Sequence, residues 1–266
     1  MLRRVKFLCL AVALALTSGP LLASDSSALY SAMTVTSGTG EKNRVRALAL
    51  CLVDVLVKVS GDPSLADDPR VAETARKASA FVAAYEYRDL LNNRPPNHEQ
   101  GTYDRPQYLT ARFDTSAIDG ALESLGRKPW VSRPRLVAFL AVETMKGETF
   151  VVGGNGAGME ADMRGSLTVA AEQAGVPLVV PVETDLAGFP ESPAALNEAA
   201  KANGGDVGLS GKMTWRAEAL GWVADWALVS SGKEYRWQEK GVGFDDAFRN
   251  AMRATAQILS GHGQPG

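Results

Sequence analysis

Apolar residues in this chain follow two periods, and the points where the period changes divide it into elements. Leu29, Tyr30, Ala32, Met33 and Val35 partly alternate with small polar residues ahead of a Ser37-Gly38-Thr39-Gly40 turn, which predicts a first strand over 29–35. From 41 to 59 the period becomes helical: Val45, Leu48, Ala49, Leu52, Val55, Leu56 and Val59 share one face, and Ser60-Gly61-Asp62-Pro63 ends the run. Pro69 suits the first turn of a second helix carried by Val71, Ala75, Ala78 and Val82. Residues 85–88 and 108–113 read as strands joined by the Pro-, Asn- and Gly-rich stretch 92–106. Asp114 then caps a helix through Ile118, Leu122 and Leu125 that stops at Gly126.

After Trp130 the pattern restarts with an almost pure apolar strand, 136–142. Strands over 149–152, 177–182 and 207–212 interleave with helices over 159–174 and 194–202, which implies a partly parallel sheet. Strands 222–229 and 235–239 meet at Ser230, Ser231 and Gly232, a hairpin signal. Asp245 and Asp246 open a closing helix with Phe248, Ala251, Met252, Thr255, Ile258 and Leu259 on one face. The expected fold class is α+β: two small α/β domains, 24–132 and 133–266. The second is a mixed sheet with helices, a C-terminal β-hairpin and a last helix.

The first residues change where this protein is expected to work. Arg3, Arg4 and Lys6 precede an uncharged apolar run, 7–16, and small residues up to Ala23, the order of a cleavable secretory signal over 1–23. The apolar run is too short to span a bilayer; an uncleaved anchor is the alternative. Losing three cations makes a chain of formal charge −2 more acidic, which argues against nucleic acid and anionic lipid as partners. Cys9 leaves with the leader and Cys51 stays, so no intrachain disulfide is expected. Cys51 reads as a small buried hydrophobe at the edge of its helical face. The expected location is the periplasm, with no stable membrane insertion and no cofactor.

Several patterns imitate chemistry. Gly153, Gly154, Gly156 and Gly158 lie between a strand and a helix, where backbone amides could hold an anion or a nucleotide phosphate. The register gives only a permissive dinucleotide fingerprint, and a glycine hairpin is the better reading. Gly211-Lys212 and Gly232-Lys233 lack the Ser or Thr that a phosphate-binding loop needs. Gly208-Leu209-Ser210-Gly211 reads as strand rather than a nucleophile elbow. Two histidines, His98 and His262, and one remaining cysteine exclude ordinary zinc and serine-hydrolase sites. Glu143, Glu183 and Asp185 at predicted strand ends keep carboxylate catalysis open, as in glycosidases that need two carboxyls within about 10 Å.

Candidate contact residues come from two places. Trp222, Trp226 and Trp237 lie on the last strands, and Trp222 and Trp226 share a face, as an exposed aromatic row or as core under the last helix. Arg94, His98 and Tyr103 sit in the long connection, which is either functional or unstructured.

Residues 29–61, with Arg44-Val45-Arg46-Ala47-Leu48 leading into Asp54-Val55-Leu56-Val57-Lys58-Val59-Ser60-Gly61, and Arg133-Pro134-Arg135-Leu136 leading to Ala141-Val142-Glu143, resemble the Gram-negative family called domain of unknown function 2066 (DUF2066). So does 204–212 ahead of the tryptophan strands. The second half is also similar to small modules of the Tol system's periplasmic protein and of lipoprotein activators of cell-wall synthases. These resemblances imply an envelope location and adaptor-like domains and supply no catalytic residues. The function expected is a non-enzymatic periplasmic interaction or envelope-assembly factor whose partner is another envelope protein. The alternatives are glycan binding or carboxylate-dependent hydrolysis, and anion or nucleotide binding at Gly154, Gly156 and Gly158.

Overall fold

A computed structural model describes residues 26–91, 105–182, 189, 190 and 192–265. The expected leader 1–23 lies outside the described residues, as do Arg94, His98, Tyr103, Glu183 and Asp185. Among the described residues there are seven helices and nine strands in two sheets, a mixed α+β fold.

The first sheet is antiparallel and three-stranded. It forms from β1 (Ser31–Ser37), β2 (Val82–Asp89) and β3 (Pro106–Phe113), in the order β1-β3-β2. A short helix α1 (Ser26–Leu29) precedes β1, so Leu29 is helical rather than the first strand residue. One face of the sheet takes α2 (Glu41–Ser60), whose Leu48, Leu52, Val55, Leu56 and Val59 pack with Leu109, Ala111 and Phe113. Helix α2 ends because Gly61 turns left-handed at φ 72, its N–H bonded to the Val57 carbonyl at 2.8 Å. Asp114 accepts from the Ala117 N–H at 2.8 Å and starts α4 (Thr115–Ser124), as its position in the sequence implied.

The second predicted helix is shorter than its pattern. It stops as α3 (Pro69–Ala75), 78–81 tighten into a 3₁₀ turn, and Val82 enters β2 because Phe113 pairs with it across the sheet. Backbone pairing outweighs an apolar spacing that either element could use.

The second sheet is mixed and centres on β4 (Leu136–Glu143) and β7 (Val207–Arg216), which run parallel; β8 (Gly221–Ser230) and β9 (Lys233–Val242) follow antiparallel. The strand expected over 177–182 shrinks to β6 (Leu178–Val179), which pairs with β4 only at Leu136 and Val137. Farther along the same edge, β5 (Thr149–Val151) takes Ala141 to Glu143, and Val152 bonds the Leu140 carbonyl, so β6 has no room to extend. Helices α5 (Met159–Ala174) and α7 (Phe244–Leu259) cover one face, and α6 (Pro193–Ala202) the other. Strand β4 is therefore buried on both faces, Leu136, Ala138, Leu140 and Val142 towards α5 and α7, Val137 and Phe139 towards α6. This double burial explains its unbroken apolar run.

The tryptophans belong to this core. Trp222 is 5% exposed and Trp226 2%, so they do not form an exposed row, contrary to their reading as contact residues. Trp226 stacks on Trp237 with centroids 6.5 Å apart and meets Phe248 of α7 edge-on at 6.3 Å. A side chain at Gly211 would place Cβ 2.3 Å from the Trp226 ring; that glycine makes room for an indole, and the strand runs straight through it. Trp237 is partly buried against the same cluster.

The two sheets are tied at helix C-termini. Arg133 donates from Nη1 to the Gly175 carbonyl at 2.7 Å and from Nη2 to the carbonyls of Lys58 and Val59 at 2.8 and 3.1 Å. Its guanidinium also lies 4.2 Å from the Trp130 ring centroid, and the Trp130 N–H bonds the Val59 carbonyl at 2.8 Å. Gly175 is left-handed at φ 66, and a Cβ there would fall 2.8 Å from Arg133 Nη1 and 2.9 Å from Lys58 Cγ. Gly204 has a similar φ of 77 with open space around it. Gly175→Ala is therefore expected to lose about 3 kcal/mol of unfolding free energy and Gly204→Ala about 1 kcal/mol, read by urea denaturation.

Candidate functional site

A cleft of about 660 Å³ opens between the two sheets, within the size range of small ligand sites. One wall is Ser31, Ala32 and Met33 of β1 with Asp54, Val57 and Lys58 of α2; the other is Val169, Ala170, Glu172 and Ala174 of α5 with Arg249, Arg253 and Ala256 of α7. Most of the lining is apolar, and five charged groups, Asp54, Lys58, Glu172, Arg249 and Arg253, converge on it.

Lys58 is buried, although it belongs to an amphipathic helix, because its stem packs beside Gly175 and its ammonium turns in to α1 and β1. Its ammonium donates to the carbonyls of Ala28 at 3.2 Å and Ser31 at 2.5 Å. Burial pushes its pKa down to about 8, against the pull of Asp54. Two carbonyls hold this amine, so it acts as a bracket between α2 and β1.

Asp54, one turn earlier, reaches solvent through the open side of the cleft. The walls crowd out bulk water and raise its carboxyl above the usual range, although Arg253 and Lys58 draw it back. Among the described residues, neither Asp54 nor Arg253 spends its side chain on a hydrogen bond or ion pair. Arg249 is bonded to Asp246. The cleft thus presents a free acceptor, Asp54, beside a free planar donor, Arg253, above an alanine-rich floor. That pair matches an N–H and a carbonyl or carboxylate of a ligand. Among the described residues lining the cleft, none is arranged as a nucleophile with a base.

Cys51, on the same helix, is fully buried; burial and the nearby Asp54 push its thiol up to about 12, so it is inert packing.

In the glycine loop the chain's own side chains take up main-chain groups. Glu160 sends its carboxylate back to accept the Gly153 N–H at 2.8 Å, and a Cβ on Gly156 would lie 1.7 Å from that carboxyl carbon. Arg164 donates to the carbonyls of Gly153 and Gly156 at 2.7 and 3.2 Å. The chain's own carboxylate therefore lies against the loop of Gly154, Gly156 and Gly158, where it competes with an incoming anion. Glu143 stands at the end of β4, 4.0 Å from Arg216, and its two proposed catalytic companions lie outside the described residues.

Asp54, Lys58 and Arg253 were not singled out by sequence. The available signal was an acid and a base four residues apart inside an otherwise apolar stretch, 47–59.

Lys58 gives a pH test. It loses its proton near pH 8 in the folded chain and near 10.5 when unfolded. Between these values the unfolded state binds more protons, and stability rises with pH. Relative to Lys58→Met, which lacks this titration, the native chain is expected to gain up to about 3 kcal/mol across that window, measured by urea unfolding at several pH values.

No described helix is long and apolar enough to cross a membrane. Residues 23–131 match the family model described as Domain of unknown function (DUF8605). This overturns the resemblance to DUF2066, which rested on a helix face, its terminal glycine and a strand entry, features many folds share. No curated protein matches the chain. The segment similar to DUF8605 holds the three-stranded sheet and α2, one wall of the cleft, and stops before Arg133 and the opposite wall.

Proposed function

We propose that this is an exported, non-enzymatic binding protein of the cell envelope, and that the cleft between its two sheets holds a segment of another envelope protein. The observation that carries the reading is the free acceptor and donor, Asp54 and Arg253, set side by side over an apolar floor. Export is supported by the basic, apolar and small-residue order of 1–23. A binding role is supported by the cleft's chemistry: its amine is committed to backbone carbonyls, and Cys51 is buried outside it.

The test is photo-crosslinking in intact cells. A photoreactive amino acid replacing Val169, on the α5 wall, is compared with one replacing Lys201 on α6, across the second sheet from the cleft. One specific protein adduct from position 169, absent from position 201, is the expected outcome. Equal background from both positions would overturn the reading.

A further inference from the structure

The cleft ends against a strand edge on which the outward main-chain groups of Met33 and Val35 are unused among the described residues. Among the described residues, β1 pairs only with β3. The Phe113 N–H bonds the Tyr30 carbonyl, and the Gly38 N–H bonds the Arg105 carbonyl. With the register Ser31 opposite Arg112, these two bonds place the main-chain groups of Tyr30, Ala32, Thr34, Thr36 and Gly38 towards β3. Those of Ser31, Met33, Val35 and Ser37 therefore point away from the sheet. Two contacts agree: the Ser31 carbonyl accepts from Lys58 and the Ser37 carbonyl from Asn43, both side chains of α2. Between these two brackets, the outward N–H and C=O of Met33 and Val35 have no partner among the described residues.

The other sheet edges are defended, and this one is not. Strand β9 carries Lys233, Glu234, Arg236, Glu239 and Lys240, and the tail's Gln264 caps the Arg236 carbonyl. Strand β2 carries Glu86, Arg88 and Asp89; β5 and β6 are three and two residues long. Charge and shortness are the usual means of keeping an edge from pairing with another chain. Strand β1 is seven residues, Ser-Ala-Met-Thr-Val-Thr-Ser, without a charge, and it exposes Met33 at 44% and Val35 at 54%. On α2, beside the same strand, Leu50 is also exposed.

We infer that the segment held by the cleft is an extended polypeptide that adds to the free edge of β1 as a fourth strand, pairing with the main chain of Met33 and Val35. The inference rests on the binding role proposed for the cleft and specifies its ligand. The occupant is a short run of another protein with apolar side chains in alternation, one set meeting Met33 and Val35, the other Leu50. A cleft of about 660 Å³ suits such a run and not a folded domain.

The experiment uses the chain carrying the crosslinker in place of Val169. Val35→Pro removes an outward N–H and leaves the β3 ladder whole, a place where a strand tolerates proline; Val35→Thr alters the side chain and keeps the N–H. The expected result is a loss of adduct of about tenfold or more with Val35→Pro and less than about threefold with Val35→Thr, with thermal melting showing both variants folded. If Val35→Pro fails to fold, Met33→Pro replaces it. In the purified protein the amides of Met33 and Val35 should exchange fast, and slow exchange would mean the edge is already covered, which overturns the inference. Equal adduct from the proline and threonine variants overturns strand pairing while leaving the cleft as a binding site; no adduct from the parent chain removes both. A concentration-dependent dimer abolished by Val35→Pro would make a second copy the occupant and overturn the assignment to another protein.

Discussion

The arrangement of this molecule depends on one guanidinium. Helices α2 and α5 both end on left-handed glycines, Gly61 and Gly175, and both turn their last carbonyls towards the same point. Arg133 answers three of those carbonyls at once and stacks on Trp130. Burial of this charge is unfavourable, and the guanidinium's pKa falls to about 10. The negative ends of two helix dipoles and three charge-assisted hydrogen bonds, each of order 1.5–3 kcal/mol, offset that cost. Ser260, bonded to the Gly61 carbonyl at 3.0 Å, and Asp62, paired with Arg127 at 2.6 Å, secure the same junction.

The width of the cleft follows from that clamp. With the C-termini of α2 and α5 pinned together, their bodies form facing walls. Lys58 then braces α2 against β1 from within, so its charge is consumed structurally and is not presented to a ligand. Among the described residues, Asp54, Glu172 and Arg253 are left as charged groups of the cleft that the fold does not use in a hydrogen bond or ion pair. Their opposition to the open edge of β1 joins side-chain and main-chain valences in one groove.

Elsewhere the fold absorbs what resembles chemistry. The glycines after β5 could cradle an anion only if nothing nearer were negative, and Glu160, in the first turn of α5, is nearer. The tryptophans on β8 could bind a partner only if no helix covered them, and α7 does. Each pattern is a matter of local geometry. Its neighbour in space decided the outcome.

The sequence by itself determined the elements whose signals are local. Alternation, helical period, Asp114 as a cap and Gly61 as a stop located most helices and strands, and the α+β class with them, because each depends on residues within a turn or two. It also showed that β1 carries no charge. The tertiary structure alone decided the rest: where α3 yields to β2, how short β6 is, that Glu160 fills the glycine loop, and that Asp54 faces Arg253 from 199 residues away. These outcomes turn on which distant groups compete for the same space or hydrogen bond, and no local period records that competition.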